Sequence, residues 1–276
     1  MKITVGIPSR GRPLELAASV LSLDKTKSQG HSVDYIIGHD HNDPRTMEVV
    51  SQLVAMGLPI RSSFGPRPLG LGEIHNRLIA ETDPDAVFLL WSDRCVPAEI
   101  SWDHAIALTT MQYPNRVLWM DSHHLVGAGQ PIMTPNWRGA LSGEKPYPAV
   151  YPFWFEDEAQ EEEDALVHGF PRVAIWAKCA GPRTDKTNRM RDLDFWIDMF
   201  ARTRPQRIER AAKIARAMGI PKRDISVELA YFEQRDQGFH ARSAELTQRY
   251  GAPGEPDQTY FEAKDQAERL LAEWGL

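Results

Sequence analysis

Three groups of residues in this sequence have the types and spacing to do chemistry. The first is Ser92-Asp93, which ends the apolar run Val87 to Trp91 in VFLLWSDRCVP. An uninterrupted apolar run suits a strand buried on both faces, so a carboxylate at its end has two readings. It caps the next turn, as Asp and Ser often do, or it stands at the carboxyl edge of a parallel sheet, where open α/β folds bind ligands. The second group is Glu156-Asp157, set directly behind Phe153, Trp154 and Phe155. A carboxylate against aromatic walls is a candidate general base, because a water-poor setting raises its pKa toward a useful range. The alternative is that this pair opens a helix whose dipole favours negative charge, with the rest of EDEAQEEED as a solvated face. The third group is the basic segment from Lys178 to Arg191, with Arg183, Lys186, Arg189 and Arg191. Guanidinium binds phosphate bidentately, and the alternative here is a solvated loop paired with the acidic run.

Regular elements must hold these groups in place. ITVGIP (3–8) reads as a buried strand, followed by a Ser-Arg-Gly-Arg-Pro turn and a helix over LELAASVLSL, with Pro13 in its first turn. VDYIIGHD is a second strand ending at Asp40, and RTMEVVSQLVAMG is a helix stopped by Gly57. LPIRSSFG suits a short third strand, and GLGEIHNRLIAET a helix leading into the VFLLW strand. Such alternation predicts a parallel, doubly wound sheet. After residue 97, WDHAIALTTMQY reads as a helix, while RVLWMDSHHLV and RVAIWAK (172–178) read as strands. Residues 127–153 form a Gly- and Pro-rich irregular insertion. From about residue 190 the pattern is helical, and its last segment places Tyr260, Ala263, Ala267, Leu270 and Trp274 on one face.

Composition bounds the class. The 276 residues are 42% hydrophobic and 25% charged, ordinary for a soluble globular chain. There is no apolar run of membrane-spanning length and no signal-peptide pattern at the start. Two cysteines, Cys95 and Cys179, make no disulfide framework, so a reduced cytoplasmic setting is expected. Cys95 has no evident base partner, which argues against a thiol nucleophile. A net charge of −6 argues against a generally basic nucleic-acid surface. His39-x-His41 lacks further ligands at zinc spacing.

Taken in order, the blocks of the first 97 residues resemble the nucleotide-sugar-binding half of family 2 glycosyltransferases, which have the GT-A fold. ITVGIPSRGRPLELAASVLSL is similar to that family's strand, Pro-Thr-x-Asn-Arg-Pro turn and helix. Ser9 stands for Thr and Gly11 for Asn, while Arg12 and Pro13 match. YIIGHDHND is similar to the second strand, which ends in Asp residues at the base-binding site. PLGLGEIHNRLIAET resembles the Gly-to-Asn-Arg helix, and LLWSDRCVP falls where the family has Leu-Asp-x-Asp-x-x-x-Pro. Beyond residue 97 the resemblance thins to the acidic motif near 156.

The resemblance implies a GT-A-type α/β fold, a doubly wound, mostly parallel sheet flanked by helices with a helical C-terminal extension. Its expected boundaries are 1–203 for the GT-A domain, with a nucleotide-sugar half at 1–97 and an acceptor half at 98–203, and 204–276 for the extension. The implied reaction moves a sugar from a nucleoside-diphosphate donor to an acceptor hydroxyl with inversion. A UDP-sugar is favoured, since Asp40 would accept the imide N–H of uracil. The donor would lie on Pro8, Ser9, Arg12, Asp40, Asn76, Ser92 and Asp93, with Arg12 otherwise a surface residue at a helix start. Arg183, Arg189 and Arg191 would neutralise the diphosphate where the family often supplies a His. Asp93 matches the last Asp of the family's DxD motif and would hold Mn²⁺ or Mg²⁺, hard cations that offset charge on the leaving group. Trp91 stands at the first Asp position. Asp157 would be the base, with Glu156 as second choice, and Trp154 and Phe155 would bind the acceptor.

Readings from other classes stay open. A sugar-nucleotide nucleotidyltransferase shares the sheet topology, but SRGRP is short and poor in glycine for its phosphate loop. A non-catalytic nucleotide-sugar or glycan-binding protein is supported by the missing first Asp. The acceptor is open among saccharide, lipid-linked glycan, protein and modified nucleobase. The C-terminal helices are candidates for self-association into a homo-oligomer.

Overall fold

Along the chain, β1 (Lys2–Pro8) leads into α1 (Pro13–Thr26), β2 (Ser32–Asp40) into α2 (Pro44–Ala55), and β3 (Ile60–Gly65) into α3 (Leu71–Ala80), before β4 (Val87–Leu90). The computed structural model describes residues 1–121, 130–151, 155–181, 191–251, 256 and 258–276. Pro13 and Pro44 sit in first turns, where their missing N–H would have no helical partner anyway. Strand β1 pairs in parallel with β2 and β4, and β2 with β3. Alternate residues of β1 and β2 (Ile3, Val5, Ile7; Val33, Tyr35, Ile37) share one core with Leu16, Val20 and Leu23 of α1, as the two-residue period of a strand requires.

The second half adds β5 (Val96–Pro97), α4 (Trp102–Gln112), β6 (Val117–Met120), β7 (Gln130–Met133), α5 (Pro135–Ala140), α6 (Glu156–His168), β8 (Val173–Ala174) and β9 (Cys179–Ala180). Helices α7 (Leu193–Arg202), α8 (Arg204–Ala217), α9 (Ser226–Tyr250) and α10 (Gln258–Glu273) follow. The large sheet has the order β3-β2-β1-β4-β7-β6-β8, and β5 pairs with β9 in a separate ribbon. The expected GT-A-type architecture, a mostly parallel sheet flanked by helices with a helical C-terminal region, is present.

Details differ from the sequence reading. The insertion expected at 127–153 supplies β7, which runs antiparallel between β4 and β6, and also α5. Four residues, one of them Pro131, are too short a run to announce a central strand. RVAIWAK contributes only Val173–Ala174 to the large sheet. On α10 the buried face is Tyr260, Ala263, Ala267 and Leu271. Trp274 falls past the end of the helix and is 39% exposed. Among the described residues no helix is long and apolar enough to cross a membrane.

By its internal contacts the chain divides into two compact units. One comprises Met1–Pro68, Ile74–Gly143 and Arg172–Arg183; the other comprises Leu69–Glu73, Glu144–Pro171 and Thr184–Leu276. In the second, the acidic run is not a solvated face. Glu162 and Glu163 are fully buried and Asp164 nearly so. Glu162 receives Arg207 at 2.5 Å, Arg235 at 2.5 Å and Arg204 at 3.3 Å, while Glu163 faces Arg210 at 3.3 Å. Arg207 also donates to the Tyr151 hydroxyl, Thr203 Oγ1 and the Phe200 carbonyl. The acidic face of α6 and the basic positions of α8 and α9 are each other's partners, which removes the need for water on either.

The two adjacent glutamates differ. Burial pulls Glu162 upward, but the guanidiniums of Arg207, Arg235 and Arg204 bring it below its usual range. Glu163, with burial dominant over Arg210, is pushed up to about 7. Glu162→Gln leaves buried guanidiniums short of a counter-charge and is expected to cost about 3–5 kcal/mol of stability. Native Glu163 keeps a proton that the unfolded chain releases near 4.5. Wild-type stability therefore falls as pH rises from there to about 7, by about 1.4 kcal/mol per pH unit. Glu163→Gln is already neutral and is expected to gain on the wild type near pH 8, with the gain shrinking toward pH 5. Urea unfolding at the two pH values measures both, and equal losses in the two variants would contradict these assignments.

Candidate functional site

The turn Ser9-Arg10-Gly11-Arg12, at the carboxyl end of β1, holds three carboxylates. Ser9 Oγ donates to Asp93 Oδ2 at 2.8 Å, and Arg12 Nε donates to the same oxygen at 3.0 Å. Arg10 pairs with Asp40 at the end of β2. The Gly11 amide donates to Asp43 at 2.7 Å, and Asp43 also caps α2 through Thr46. Gly11 has φ +64, the left-handed conformation that suits glycine. The ends of β1, β2 and β4 thus meet at one turn, on the sheet edge where open α/β folds bind ligands.

The charge is layered. The Asp40 and Asp93 side chains are 4% and 1% exposed, whereas those of Arg10 and Arg12 are 45% and 42% exposed. The carboxylates lie beneath and the guanidiniums face water, a surface suited to phosphate oxygens. Burial pushes Asp93 up, against the pull of Arg12 and Ser9. Asp43, despite its own burial, is held below its usual range by bonds from Thr46 and Gly11.

The other donor candidates on described residues fall as follows. Pro8 pairs with Gly38 in the β1–β2 register and is half-buried. Asn76 is half-buried on α3, and Ser92 accepts a bond from the Arg94 amide. Arg191 is half-buried in the second unit. Arg183, Arg189 and Trp154 lie outside the described residues. Sequence reasoning missed Arg10, Asp43 and Arg77. Arg77 donates to the His39 carbonyl at 3.4 Å, and a Cβ at Gly65 would collide with its guanidinium. The available signals were Asp43-Pro44 at a helix start and an Arg next to Asn76.

Trp91 has a structural task. It is 1% exposed, and its indole N–H donates to Ser19 Oγ at 2.9 Å and the Cys95 carbonyl at 3.2 Å. It fastens the end of β4 to α1 and offers no ligand atom. Among the described residues no three His, Cys, Asp or Glu side chains gather as a metal site. Asp93 Oδ1, however, is buried without a hydrogen-bond partner. One hard oxygen fits a divalent ion that takes its other ligands from phosphate and water.

In the second unit, Glu156, Asp157 and Glu158 form the first turn of α6. Glu156 is buried and Asp157 half-buried, with Asp157 Oδ1 accepting from the Glu158 amide at 3.2 Å. Burial, then Asp157, pushes Glu158 well up. Burial, then Glu156 and Asp157, does the same to the Tyr147 hydroxyl. Phe155 precedes the helix at φ +69 and is 1% exposed. Its ring stacks on Phe200 with centroids 4.4 Å apart.

No family model matches the sequence, and no curated protein matches it. Solved structures do. S. aureus TarS matches at 14% identity over 72% of this chain, with a TM-score of 0.55, and the chain spans 38% of that protein. Its 1–349 form in complex with UDP-GlcNAc matches at 14% identity over 97% of this chain and 80% of that one, with a TM-score of 0.61. The mannosyltransferase PcManGT from Pyrobaculum calidifontis, in complex with GDP-Man and Mn²⁺, matches at 12% identity over 99% and 79%, with a TM-score of 0.56. GalNAc-T7 with UDP, GalNAc and Mn²⁺ matches at 12% identity over 92% and 59%, with a TM-score of 0.55. Identities this low speak to architecture alone, and with the sheet order and the strand-end carboxylates they show that this chain has the GT-A-like fold of glycosyltransferases.

Proposed function

We propose that the chain is a family 2-like glycosyltransferase that moves a sugar, with inversion, from a nucleoside-diphosphate donor to an acceptor hydroxyl. The observation that carries this reading is the Ser9–Arg12 turn, which buries Asp40 and Asp93 at the sheet edge while turning guanidiniums to water. Residues 1–97 bind the donor, 98–203 the acceptor, and 204–276 form a helical extension available for self-association. Asp40 accepts from the base, which favours a UDP-sugar. Pro8, Ser9, Arg12, Asn76 and Ser92 line the nucleotide, and Arg183, Arg189 and Arg191 meet the diphosphate. Asp93 Oδ1 holds Mn²⁺ or Mg²⁺, which when bound offsets charge on the diphosphate leaving group. Asp157, with Glu156 as the second choice, takes the acceptor proton as the new bond forms at the anomeric carbon. Trp154 and Phe155 place the acceptor. Two free thiols suit a cytoplasmic setting.

The second reading, a non-catalytic nucleotide-sugar-binding protein, is favoured by Trp91, whose indole is committed to Ser19. Donor hydrolysis in the absence of acceptor separates the two. Wild-type protein with Mn²⁺ and UDP-sugars is expected to release UDP slowly, and binding without any release would leave only the binder. In calorimetric titration of UDP with Mn²⁺, Asp93→Ala is expected to lose about one to two decades of affinity, the worth of a charged contact of about 1.5–3 kcal/mol. Undiminished affinity would make Asp93 a purely structural anchor for Ser9 and Arg12. Asp157→Asn should keep donor affinity and lower turnover by about 10²–10⁴. If Asp157→Asn and Glu156→Gln both retain full turnover, the base lies elsewhere.

A further inference from the structure

Strands β5 and β9 form an antiparallel ribbon in which Val96 faces Ala180 and Pro97 faces Cys179. Cys95 directly precedes β5 and Cys179 opens β9. These are the only two cysteines of the chain, and their sulfurs flank one cross-strand pair, Gln130 and Met120. Neither has a part in the transfer proposed above. The register sets Cys179 opposite Pro97 and Cys95 opposite Gly181, so the two cysteines lie diagonally on one face of the ribbon. Gly181 continues β9 opposite Cys95, and a Cβ there would lie 2.8 Å from the Cys95 sulfur, so the missing side chain leaves the space that the sulfur occupies. Gln130 Nε2 donates to Cys95 Sγ at 3.9 Å, and Cys179 Sγ donates to the Met120 carbonyl at 3.9 Å. Cys179 is buried, while Cys95 is partly open to solvent.

We propose that Cys95 and Cys179 are an oxidative modification site, a dithiol that a peroxide closes to a disulfide and a thiol reductant reopens. Cys95, the more exposed sulfur, meets the oxidant. Its sulfur bonds to one peroxide oxygen, the O–O bond breaks, and the thiol proton leaves with the other oxygen as water, giving a sulfenic acid. The Cys179 sulfur then bonds to the Cys95 sulfur, the S–O bond breaks, and a second water departs with the Cys179 proton. The two sulfurs each give up one electron, and the peroxide takes both. Joining the two sulfurs by a covalent bond of about 2.05 Å tightens the ribbon two residues beyond Asp93 and cross-links a long stretch of chain.

The test uses the full chain treated with hydrogen peroxide under native conditions, then denatured and alkylated. The expected product is a monomer lighter than the reduced protein by two hydrogen atoms, with neither cysteine alkylated and a raised Tm, all reversed by dithiothreitol. Cys179→Ser should stop at an oxidised Cys95 that reacts with a sulfenic-acid probe, without the two-hydrogen loss. Should that variant fold poorly, the wild-type mass and alkylation pattern decide by themselves. Two alkylatable thiols after peroxide, a Cys95 carrying two added oxygens beside a free Cys179, or a disulfide-linked dimer would each overturn the assignment. These readouts are covalent and need no donor, so they stand apart from the glycosyltransferase reading.

Discussion

A carboxylate buried to 1% exposure at a strand end must find donors within the protein. For Asp93 they come from Ser9 and Arg12, more than eighty residues earlier in the chain. The same four-residue turn reaches Asp40 through Arg10 and Asp43 through the Gly11 amide. Three carboxylates, at the ends of β2 and β4 and at the start of α2, therefore depend on one turn after β1. Disturbing that turn would leave several buried acids short of partners at once, so the carboxyl edge of the sheet behaves as a unit. The parallel pairing of β1 with both β2 and β4 brings these ends side by side.

The second unit solves a similar problem with opposite proportions. Glu162 sits among three guanidiniums, and Arg207 spends its remaining donors on Tyr151, Thr203 and a helix-end carbonyl. Such a network is weak evidence of high stability, because each ion gives up hydration to enter it. Its arrangement depends on Glu162, because removing that carboxylate leaves the buried Arg207 guanidinium without its counter-charge. The guanidinium of Arg207 also lies 3.8 Å from the centre of the Phe200 ring, so the polar network and the aromatic core of this unit share a boundary.

The departure at Trp91 changes how the strand end is built. An acid at that position would face the same burial cost as Asp93. The indole needs only one acceptor for its single N–H, and Ser19 Oγ is in place. The remaining chemistry at this edge falls on the partnerless oxygen of Asp93 and on the outward guanidiniums. That arrangement favours a ligand that brings its own negative oxygens.

Much of the fold was legible in the sequence because its first half is locally consistent. Strands with apolar runs, Pro at helix starts and Gly at helix ends all agreed on β1 through β4. Strand β7 was hidden because four residues around a proline carry no periodicity, and only pairing with β4 and β6 makes them a strand. Asp40 and Asp93 could be picked out as acids ending apolar runs. Arg10 could not, since an arginine in a turn looks solvated until its distant carboxylate is known. EDEAQEEED reads as a solvated face when taken alone. By itself the sequence determined the order of strands and helices from β1 to β4 and the acids at the strand ends, because these follow from periodicity and residue type within a few positions. Which charges are buried, and which partner each one holds, was decided only by the tertiary structure, because burial and Coulomb attraction depend on groups that meet in space from far apart in the chain.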